Sequence, residues 1–230
     1  MKRLIAFDVD NTLAQVGKGM REEDIALLKE LEKQGNTIAV CSGKPSYYLC
    51  GFMRQIGLQN PILIGENGSA IQFGVDLPPK KHYIQNYSEE AKETIRFFEE
   101  KIKEKIPEMF FQPNEICLTP FPAGQEEYDI IGRCLEEYKD HVKDVTVYPQ
   151  SDCYDIVPNG ISKGTGLELL CRILGEDREN LVAVGDGIND YPMFETAGLA
   201  LGVNVADESK VDRNFKTIRE VLLYLLDRKE

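Results

Sequence analysis

Short apolar runs alternate with amphipathic stretches along the first third of the chain. The runs Arg3–Phe7, Thr37–Cys41 and Pro61–Ile64 have the length and composition of buried strands. Between the first two, Glu22–Gln34 repeats apolar side chains at helical spacing, and a second helix is expected to end near Ile56. This alternation of strands and helices predicts a parallel sheet that is covered by helices on both faces.

The middle of the chain has a different order of elements. Two amphipathic helices are predicted at 88–106 and 125–139. Each helix is followed by two short strands, which are expected at 109–112, 116–119, 144–148 and 153–157. The order α-β-β-α-β-β is a repeated unit that suits an antiparallel sheet with helices on one face.

From residue 162 onward, the pattern of the first third returns. A helix is predicted at 163–174 and a buried strand at 181–184. The predicted fold class is therefore α/β, with a doubly wound, Rossmann-like parallel-sheet core and an inserted α+β domain. We place the core at residues 1–81 and 156–230, and the inserted domain at residues 82–155.

Composition and charge exclude several classes of protein. The 230 residues carry a net charge of −12, which argues against general nucleic-acid binding because that function needs a basic surface. No apolar run approaches the roughly 20 residues that span a bilayer, so no membrane partner is expected. The six cysteines are scattered without a C-x-x-C spacing, which favours reduced thiols and a cytoplasmic location.

Chemically active side chains follow the apolar runs at several places. They are Asp8 with Asp10, Ser42, Lys163 at the start of a helix, and Asp186 with Asn189 and Asp190. The carboxyl ends of parallel strands face one crevice, and a helix can direct its positive end there. Side chains two apart on a strand point the same way, so Asp8 and Asp10 need a positive charge between them. A hard divalent cation is the expected partner.

Each of these features has a simpler explanation when it is taken alone. Asp8, Asp10 and Asp186 are residue types that favour turns. Ser42 can cap the helix that follows it, and Lys163 can be a solvated helix residue. Their joint placement at successive crossovers is what favours a single site.

Phosphoryl transfer is the chemistry that requires this set of groups, because it depends on positioning and on neutralising phosphate charge. Asp8 would attack phosphorus, and Asp10 would protonate the leaving oxygen and then deprotonate the attacking water. Mg²⁺ would screen the repulsion between nucleophile and substrate, with Asp186 as a further ligand. Ser42 and Lys163 would hold the phosphate oxygens that the metal does not.

With these motifs the chain resembles the haloacid dehalogenase superfamily of aspartyl-phosphate phosphohydrolases. The likeness rests on D-x-D-x-T at Asp8–Thr12, on Ser42 and Lys163, and on G-D-x-x-N-D at Gly185–Asp190. The inserted domain is similar to the type-two cap of subclass B, the Cof-like group. A cap of this type implies that the inserted domain sets substrate specificity.

The resemblance also implies Mg²⁺ as cofactor and a set of metal ligands. They are the carboxylate of Asp8, the backbone carbonyl of Asp10, and Asp186. Asn189 and Asp190 are implied as further ligands or as hydrogen-bond partners of the ligands.

Three residues near these motifs are candidates for contact with the substrate. Asn11 stands where the family usually has glycine, and asparagine tolerates the left-handed conformation that this turn needs. Its side chain is expected beside the phosphate site, so we count it among the phosphate-binding groups. Lys44 stands where relatives often carry arginine, and with Asn67 it is expected on the substrate side.

The resemblance predicts a Mg²⁺-dependent phosphatase that acts on a small phosphorylated metabolite, of the sugar-phosphate or phosphoglycolate type. A phosphomutase of the phosphomannomutase type shares the fold and cap and is the alternative. A phosphoacceptor signalling module also surrounds an aspartate with acidic residues, Mg²⁺, a hydroxyl and a lysine, but it gives no role to Asp10 or to the inserted domain. We expect a monomer or a homodimer.

Overall fold

The computed structural model describes residues 2–150 and 152–228. Its strands, in chain order, are β1 (Leu4–Phe7), β2 (Thr37–Cys41), β3 (Ile62–Gly65), β4 (Ala70–Phe73), β5 (His82–Ile84), β6 (Phe110–Phe111), β7 (Pro120–Phe121), β8 (Val145–Pro149), β9 (Tyr154–Pro158), β10 (Leu181–Gly185), β11 (Leu199–Val203) and β12 (Arg213–Phe215). Its α-helices are α1 (Glu22–Lys33), α2 (Ser46–Ile56), α3 (Glu89–Lys105), α4 (Gln125–Glu137), α5 (Lys163–Leu174), α6 (Tyr191–Thr196) and α7 (Ile218–Asp227). These elements form two compact units, one of Met1–Ile84 with Ser162–Glu230 and one of Gln85–Ile161.

An eight-stranded sheet forms the centre of the first unit. Its strand order is β12-β11-β10-β1-β2-β3-β4-β5. The strands from β12 to β3 are parallel to one another, and β4 and β5 extend the sheet as antiparallel strands. Strands β2 to β5 follow on one side of β1, and strands β10 to β12 follow on its other side. The direction of the strand order therefore reverses between β1 and β10. This topology confirms the predicted α/β class with a doubly wound parallel core.

Helices cover both faces of the sheet because successive strand residues point to opposite sides. Phe7 of β1 belongs to a buried cluster with Leu28 of α1. Its neighbour Ala6 belongs to a separate buried cluster with Leu167 of α5. With both faces of β1 covered, only the ends of the strand are open to ligands.

The two edge strands and the domain boundaries differ from the sequence prediction. Strands β5 and β12 were not predicted, because each has only three residues and a mixture of polar and apolar side chains. Since β5 pairs with β4, residues 82–84 belong to the first unit. Since β9 pairs with β8, residues 156–161 remain in the second unit. The inserted unit of the structure is 85–161, where the sequence predicts limits of 82–155.

The second unit has the predicted order of helices and strands. Strands β6 and β7 form one antiparallel pair, and β8 and β9 form another. An antiparallel bridge between Leu118 and Ile156 joins the pairs, with N–H···O distances of 3.1 and 2.9 Å. The predicted strand at 116–119 is wrong, because a bend at 115–116 interrupts it and the strand starts only at Pro120.

Two further features concern the cysteines and the helices. All six cysteines are free and buried. Within the described part of the chain, no helix combines the length and the apolar character needed to cross a membrane.

Candidate active site

The candidate site lies at the edge where the parallel strands end. Asp8 directly follows β1, Ser42 follows β2, and Asp186 follows β10. Because β1 lies between β2 and β10 and is parallel to both, the three side chains start from the same edge of the sheet. The strand order also reverses between β1 and β10, which is where doubly wound sheets bind ligands.

Lys163 joins two of the acidic side chains at this edge. Its Nζ donates to Asp8 Oδ1 and to Asp190 Oδ1, each at 2.6 Å. All three side chains are buried, and none is more than 6% exposed. Lys163 is the first residue of α5, and the preceding Ser162 caps this helix by accepting a hydrogen bond from the Thr165 N–H. The helix start therefore fixes the position of the lysine.

Asp190 also holds the loop that follows β10. Its Oδ2 accepts hydrogen bonds from the N–H of Asp186 at 2.9 Å and of Gly187 at 3.0 Å. Gly185 permits this approach, because a Cβ at that position would lie 2.5 Å from Asp190 Oδ2. With Oδ1 bound to Lys163 and Oδ2 bound to the backbone, Asp190 is better suited to positioning its neighbours than to binding a metal directly.

Burial and repulsion disfavour the ionised carboxylates. Burial is the main reason that the pKa of Asp8 is raised to about 8, with Lys163 opposing the shift and Asp190 adding to it. Burial, followed by repulsion from Asp190, raises the pKa of Asp186 to about 6. For Lys163, burial favours the neutral amine, but attraction to Asp190 and Asp8 outweighs it and raises the pKa. One positive charge thus faces three carboxyl groups.

Asp8 and Asp186 are placed to hold a divalent cation, with Asp190 beside them in the same acidic cluster. One oxygen from each of Asp8, Asp186 and Asp190 lies within 4.8 Å of the others. Oxygen donors suit a hard cation such as Mg²⁺. A second positive charge beside Lys163 would also favour the ionised forms of Asp8 and Asp186. Both the donor set and the charge balance therefore fit a divalent metal.

Thr12 is part of the site, although no role was predicted for it from the sequence. Its Oγ1 donates to Asp186 Oδ1 at 3.1 Å, and the side chain is buried. The sequence does contain a signal for Thr12, because this residue completes the D-x-D-x-T pattern that begins at Asp8. Cys41 was also missed, and no motif marks it. Its Sγ donates to the carbonyl oxygen of Lys163 at 3.9 Å.

The segment after β2 brings a second lysine close to Asp10. Ser42 is buried at the end of β2, and its Oγ accepts a hydrogen bond from the Lys44 N–H at 3.2 Å. The Nζ of Lys44 lies 3.7 Å from Asp10 Oδ2, and both side chains are partly exposed. The predicted substrate-side cation is therefore a neighbour of the predicted acid–base residue.

The asparagines of the site occupy turns. Asn11 has a left-handed backbone with φ of 62°, so the turn accepts asparagine in place of glycine, as predicted. Asn67 has φ of 56° within the short helix Glu66–Gly68, and its N–H donates to the Ser42 carbonyl at 3.0 Å. Asn189 is partly exposed in the loop after β10. Contacts of these side chains with phosphate, metal or substrate stay predictions.

Comparison with known proteins gives a consistent result. The model of the haloacid dehalogenase-like hydrolase family matches residues 5–119 and 80–213. A phosphoglycolate phosphatase of Methanopyrus kandleri is 26% identical over 226 residues, which cover 97% of this chain and 91% of that protein.

Two solved structures share the fold. An X-ray crystal structure of a Thermotoga maritima protein aligns with a TM-score of 0.76 at 19% identity, over 100% of this chain and 98% of that one. A sugar phosphatase of haloacid dehalogenase subclass IIB aligns with a TM-score of 0.70 at 17% identity, over 97% and 98% of the two chains. Since the family model spans most of the sequence, the chain belongs to the haloacid dehalogenase-like hydrolases, as its motifs predicted.

Proposed function

We propose that this protein is a Mg²⁺-dependent phosphatase that hydrolyses a small phosphorylated metabolite through an aspartyl-phosphate at Asp8. The observation that carries the proposal is the buried bridge from Lys163 to Asp8 and Asp190, at 2.6 Å on each side. Burying these charged groups is costly, and well-packed apolar residues would serve stability at least as well. Together with Asp186, the bridge supplies a nucleophile, a fixed cation and metal ligands at one sheet edge.

Asp8 is the nucleophile in the first half of the reaction. Its hydrogen bond from Lys163 fixes the orientation of the carboxyl group before substrate arrives. A carboxylate oxygen of Asp8 forms a bond to phosphorus while the bond from phosphorus to the leaving oxygen breaks. The result is an aspartyl-phosphate and the released alcohol.

Asp10 moves the protons in both halves of the reaction. It donates a proton to the leaving oxygen, and in the second half it accepts a proton from water. The water oxygen then bonds to phosphorus as the bond to Asp8 breaks, which restores Asp8 and releases inorganic phosphate. Lys44, whose Nζ is 3.7 Å from Asp10 Oδ2, stabilises the negative charge that Asp10 carries between these two transfers.

The remaining groups hold the transferred phosphate. Asp8, the backbone carbonyl of Asp10, and Asp186 would hold the cation, which when bound neutralises the charge on the phosphoryl oxygens. Ser42 and Lys163 bind the oxygens that face away from the metal, and Asn11 borders the same site. Thr12 and Asp190 keep Asp186 and its loop in place through the hydrogen bonds described above.

We assign the substrate to the phosphoglycolate or sugar-phosphate class. The similarity to a phosphoglycolate phosphatase and to a subclass IIB sugar phosphatase supports this class. We assign selection of the leaving group to the second unit, because the proposed catalytic groups all belong to the first. The second unit has its own polar network, in which Asn114 donates to Thr119 and Thr119 donates to Asp155.

The test is an assay of inorganic phosphate released from 2-phosphoglycolate and from hexose phosphates, with and without MgCl2. We expect Mg²⁺-dependent release that Asp8→Asn abolishes, while Asp177→Asn, a change at an exposed aspartate outside the motifs, leaves it unchanged. Conversion of a hexose 1-phosphate to its 6-phosphate without net release would instead indicate a mutase. A phosphoprotein that persists for hours would indicate a signalling module.

A further inference from the structure

The short helix Glu66–Gly68 contacts both of the segments that carry Ser42 and Lys163. Ser42 directly follows β2, and Lys163 is the first residue of α5. Both side chains are proposed to bind the same phosphoryl group, so the distance between their backbones matters for the reaction. The contacts of the short helix with the two segments bear directly on that distance.

Backbone hydrogen bonds join the short helix to the Ser42 segment. The N–H of Ser42 donates to the carbonyl oxygen of Ile64 at 2.9 Å, and the Ser42 carbonyl accepts from the Asn67 N–H at 3.0 Å. The Glu66 N–H donates to the carbonyl oxygen of Lys44, also at 3.0 Å. With both of its backbone groups bound, Ser42 keeps a fixed position relative to the short helix.

Direct contact between backbones joins the short helix to α5. A Cβ on Gly68 would lie 2.1 Å from the carbonyl oxygen of Ser162, the residue that caps α5. A Cβ on Gly166 would lie 2.7 Å from the Cα of Gly68. The Ser162 carbonyl accepts from the Gly166 N–H at 3.0 Å, so both contacts involve the first turn of the helix that carries Lys163. No side chain can rotate away to relieve such contacts.

The start of α5 is confined on its other side as well. Residues two apart on a helix point about 200° away from each other, so Gly164 and Gly166 lie on opposite faces. A Cβ on Gly164 would lie 2.4 Å from the carbonyl oxygen of Pro192 in α6. The first turn of α5 is therefore held between Gly68 on one side and Pro192 on the other.

A side chain at position 68 would change this spacing. Nonbonded carbon atoms pack at roughly 3.5–4.0 Å, so a methyl group at Gly68 would push the start of α5 away by roughly 1 Å or more. Lys163 is buried, which leaves its side chain little room to compensate. A displacement of about 1 Å in a catalytic site can lower a rate about 100-fold.

We propose that Gly68 is a positioning residue, which sets the distance between Ser42 and Lys163 through its backbone contact with α5. The inference rests on the proposed function, because it takes both side chains as phosphate-binding groups. Contact between the backbones of Gly68 and Gly166 gives the spacing that fits the phosphoryl group. A larger residue at either position separates Lys163 from Ser42 and weakens binding of phosphate and of the transition state.

The test is calorimetric titration of inorganic phosphate into protein saturated with MgCl2, together with kcat and KM for phosphate release. Gly166→Ala adds a methyl group from the helix side, where the backbone is not left-handed. Gly68→Ala adds a methyl group from the side of the short helix, at a φ of 104°. We expect each variant to bind phosphate at least tenfold more weakly and to lose about 10–100-fold in kcat.

Two other glycines give matched controls. Gly51 lies within α2, as Gly166 lies within α5, and Gly175 follows α5 with a left-handed φ of 69°. Among the described residues, apart from near neighbours in the chain, no atom lies within 4 Å of a Cβ at either position. Gly51→Ala should bind phosphate as wild type does. Gly175→Ala should lower the melting temperature, because alanine is strained there, but the folded protein should bind phosphate as tightly as wild type.

A merely structural role for the contact would lower the melting temperature without changing phosphate affinity, as is expected for Gly175→Ala. The inference is overturned if Gly68→Ala and Gly166→Ala bind phosphate as tightly as their controls do. If Gly68→Ala does not fold, Gly166→Ala tests the same contact without left-handed strain. Wild type that neither binds nor releases phosphate would overturn the proposed function as well, whereas an active wild type with equal affinities in all variants would overturn this inference alone.

Discussion

Lys163 Nζ lies 2.6 Å from Asp8 Oδ1, although the two residues are 155 positions apart in the chain. One side chain comes from the start of α5 and the other from the end of β1. Because both are buried, water does not weaken the interaction as it weakens surface ion pairs. This contact therefore couples the stability of the first unit to the proposed chemistry.

Removal of the buried Lys163 side chain should lower both the stability of the protein and its turnover. Lys163→Met leaves two buried carboxylates without their cation, so we expect a loss of about 3–5 kcal/mol in the free energy of unfolding and of about 100-fold or more in turnover. Urea denaturation and phosphate release measure the two effects. Lys139→Met removes an exposed lysine that pairs with Glu136 and should change neither. If Lys163→Met had the same free energy of unfolding as wild type, the buried ion pairs of Lys163 would not stabilise the protein, and this prediction would be wrong.

The close approach of Gly185 and Asp190 leads to a second prediction. In Gly185→Ala the new Cβ would meet the Asp190 carboxylate at 2.5 Å, so the loop must shift. We expect the free energy of unfolding to fall by about 1–3 kcal/mol. We also expect the Mg²⁺ concentration that gives half-maximal phosphate release to rise. Gly51→Ala is the matched control, because Gly51 lies within α2 with no atom within 4 Å of its Cβ position. That variant should be neutral or slightly more stable than wild type.

Asp190 should influence metal affinity without binding the metal itself. Asp190→Asn replaces a carboxylate oxygen with an amide, so either the Lys163 contact or the pair of backbone N–H contacts is lost. We expect the apparent Mg²⁺ affinity to fall about 10–100-fold in titrations of phosphate release. Activity should partly recover at high Mg²⁺. An unchanged Mg²⁺ requirement would count against this positioning role.

The hydroxyl of Thr12 should orient Asp186. Thr12→Val keeps the shape of the buried side chain but removes the donor to Asp186 Oδ1, so we expect weaker Mg²⁺ binding, by about tenfold, with little change in fold. Thr12→Ser keeps the hydroxyl and should retain most of the affinity. Both variants are compared by Mg²⁺ titration and by circular dichroism. If the valine variant bound Mg²⁺ as wild type does, the hydrogen bond would have no role in the metal site.

Periodicity and motifs in the sequence predicted the core of the molecule. Strand β2 and helix α5 form at the predicted limits, because continuous apolar runs and helical spacing are strong local signals. The same signals placed Asp8 and Asp186 at the ends of neighbouring strands. Strands β5 and β12 escaped prediction, since three-residue edge strands depend on pairing with a neighbour more than on their own sequence.

The internal contacts of the site were less predictable than its location. From the sequence, Asp190 is either a further metal ligand or a hydrogen-bond partner of the ligands, and only the three-dimensional arrangement brings it to Lys163, 27 positions earlier. The need for glycine at position 185 likewise follows from a non-local approach of Asp190 and not from a local turn. Such contacts depend on how the loop after β10 folds back, and spacing in the sequence does not encode that path.

Phosphorylation of Asp8 is tested most directly by mass spectrometry of an acid-quenched reaction. Asp10→Asn protein is mixed with MgCl2 and the best substrate from the release assay, since loss of the general base should slow breakdown of the intermediate. The account predicts a phosphoryl group on the peptide that contains Asp8, and none on that peptide in Asp8→Asn/Asp10→Asn. Unmodified Asp8 during substrate consumption, or undiminished phosphate release by Asp8→Asn, would contradict it.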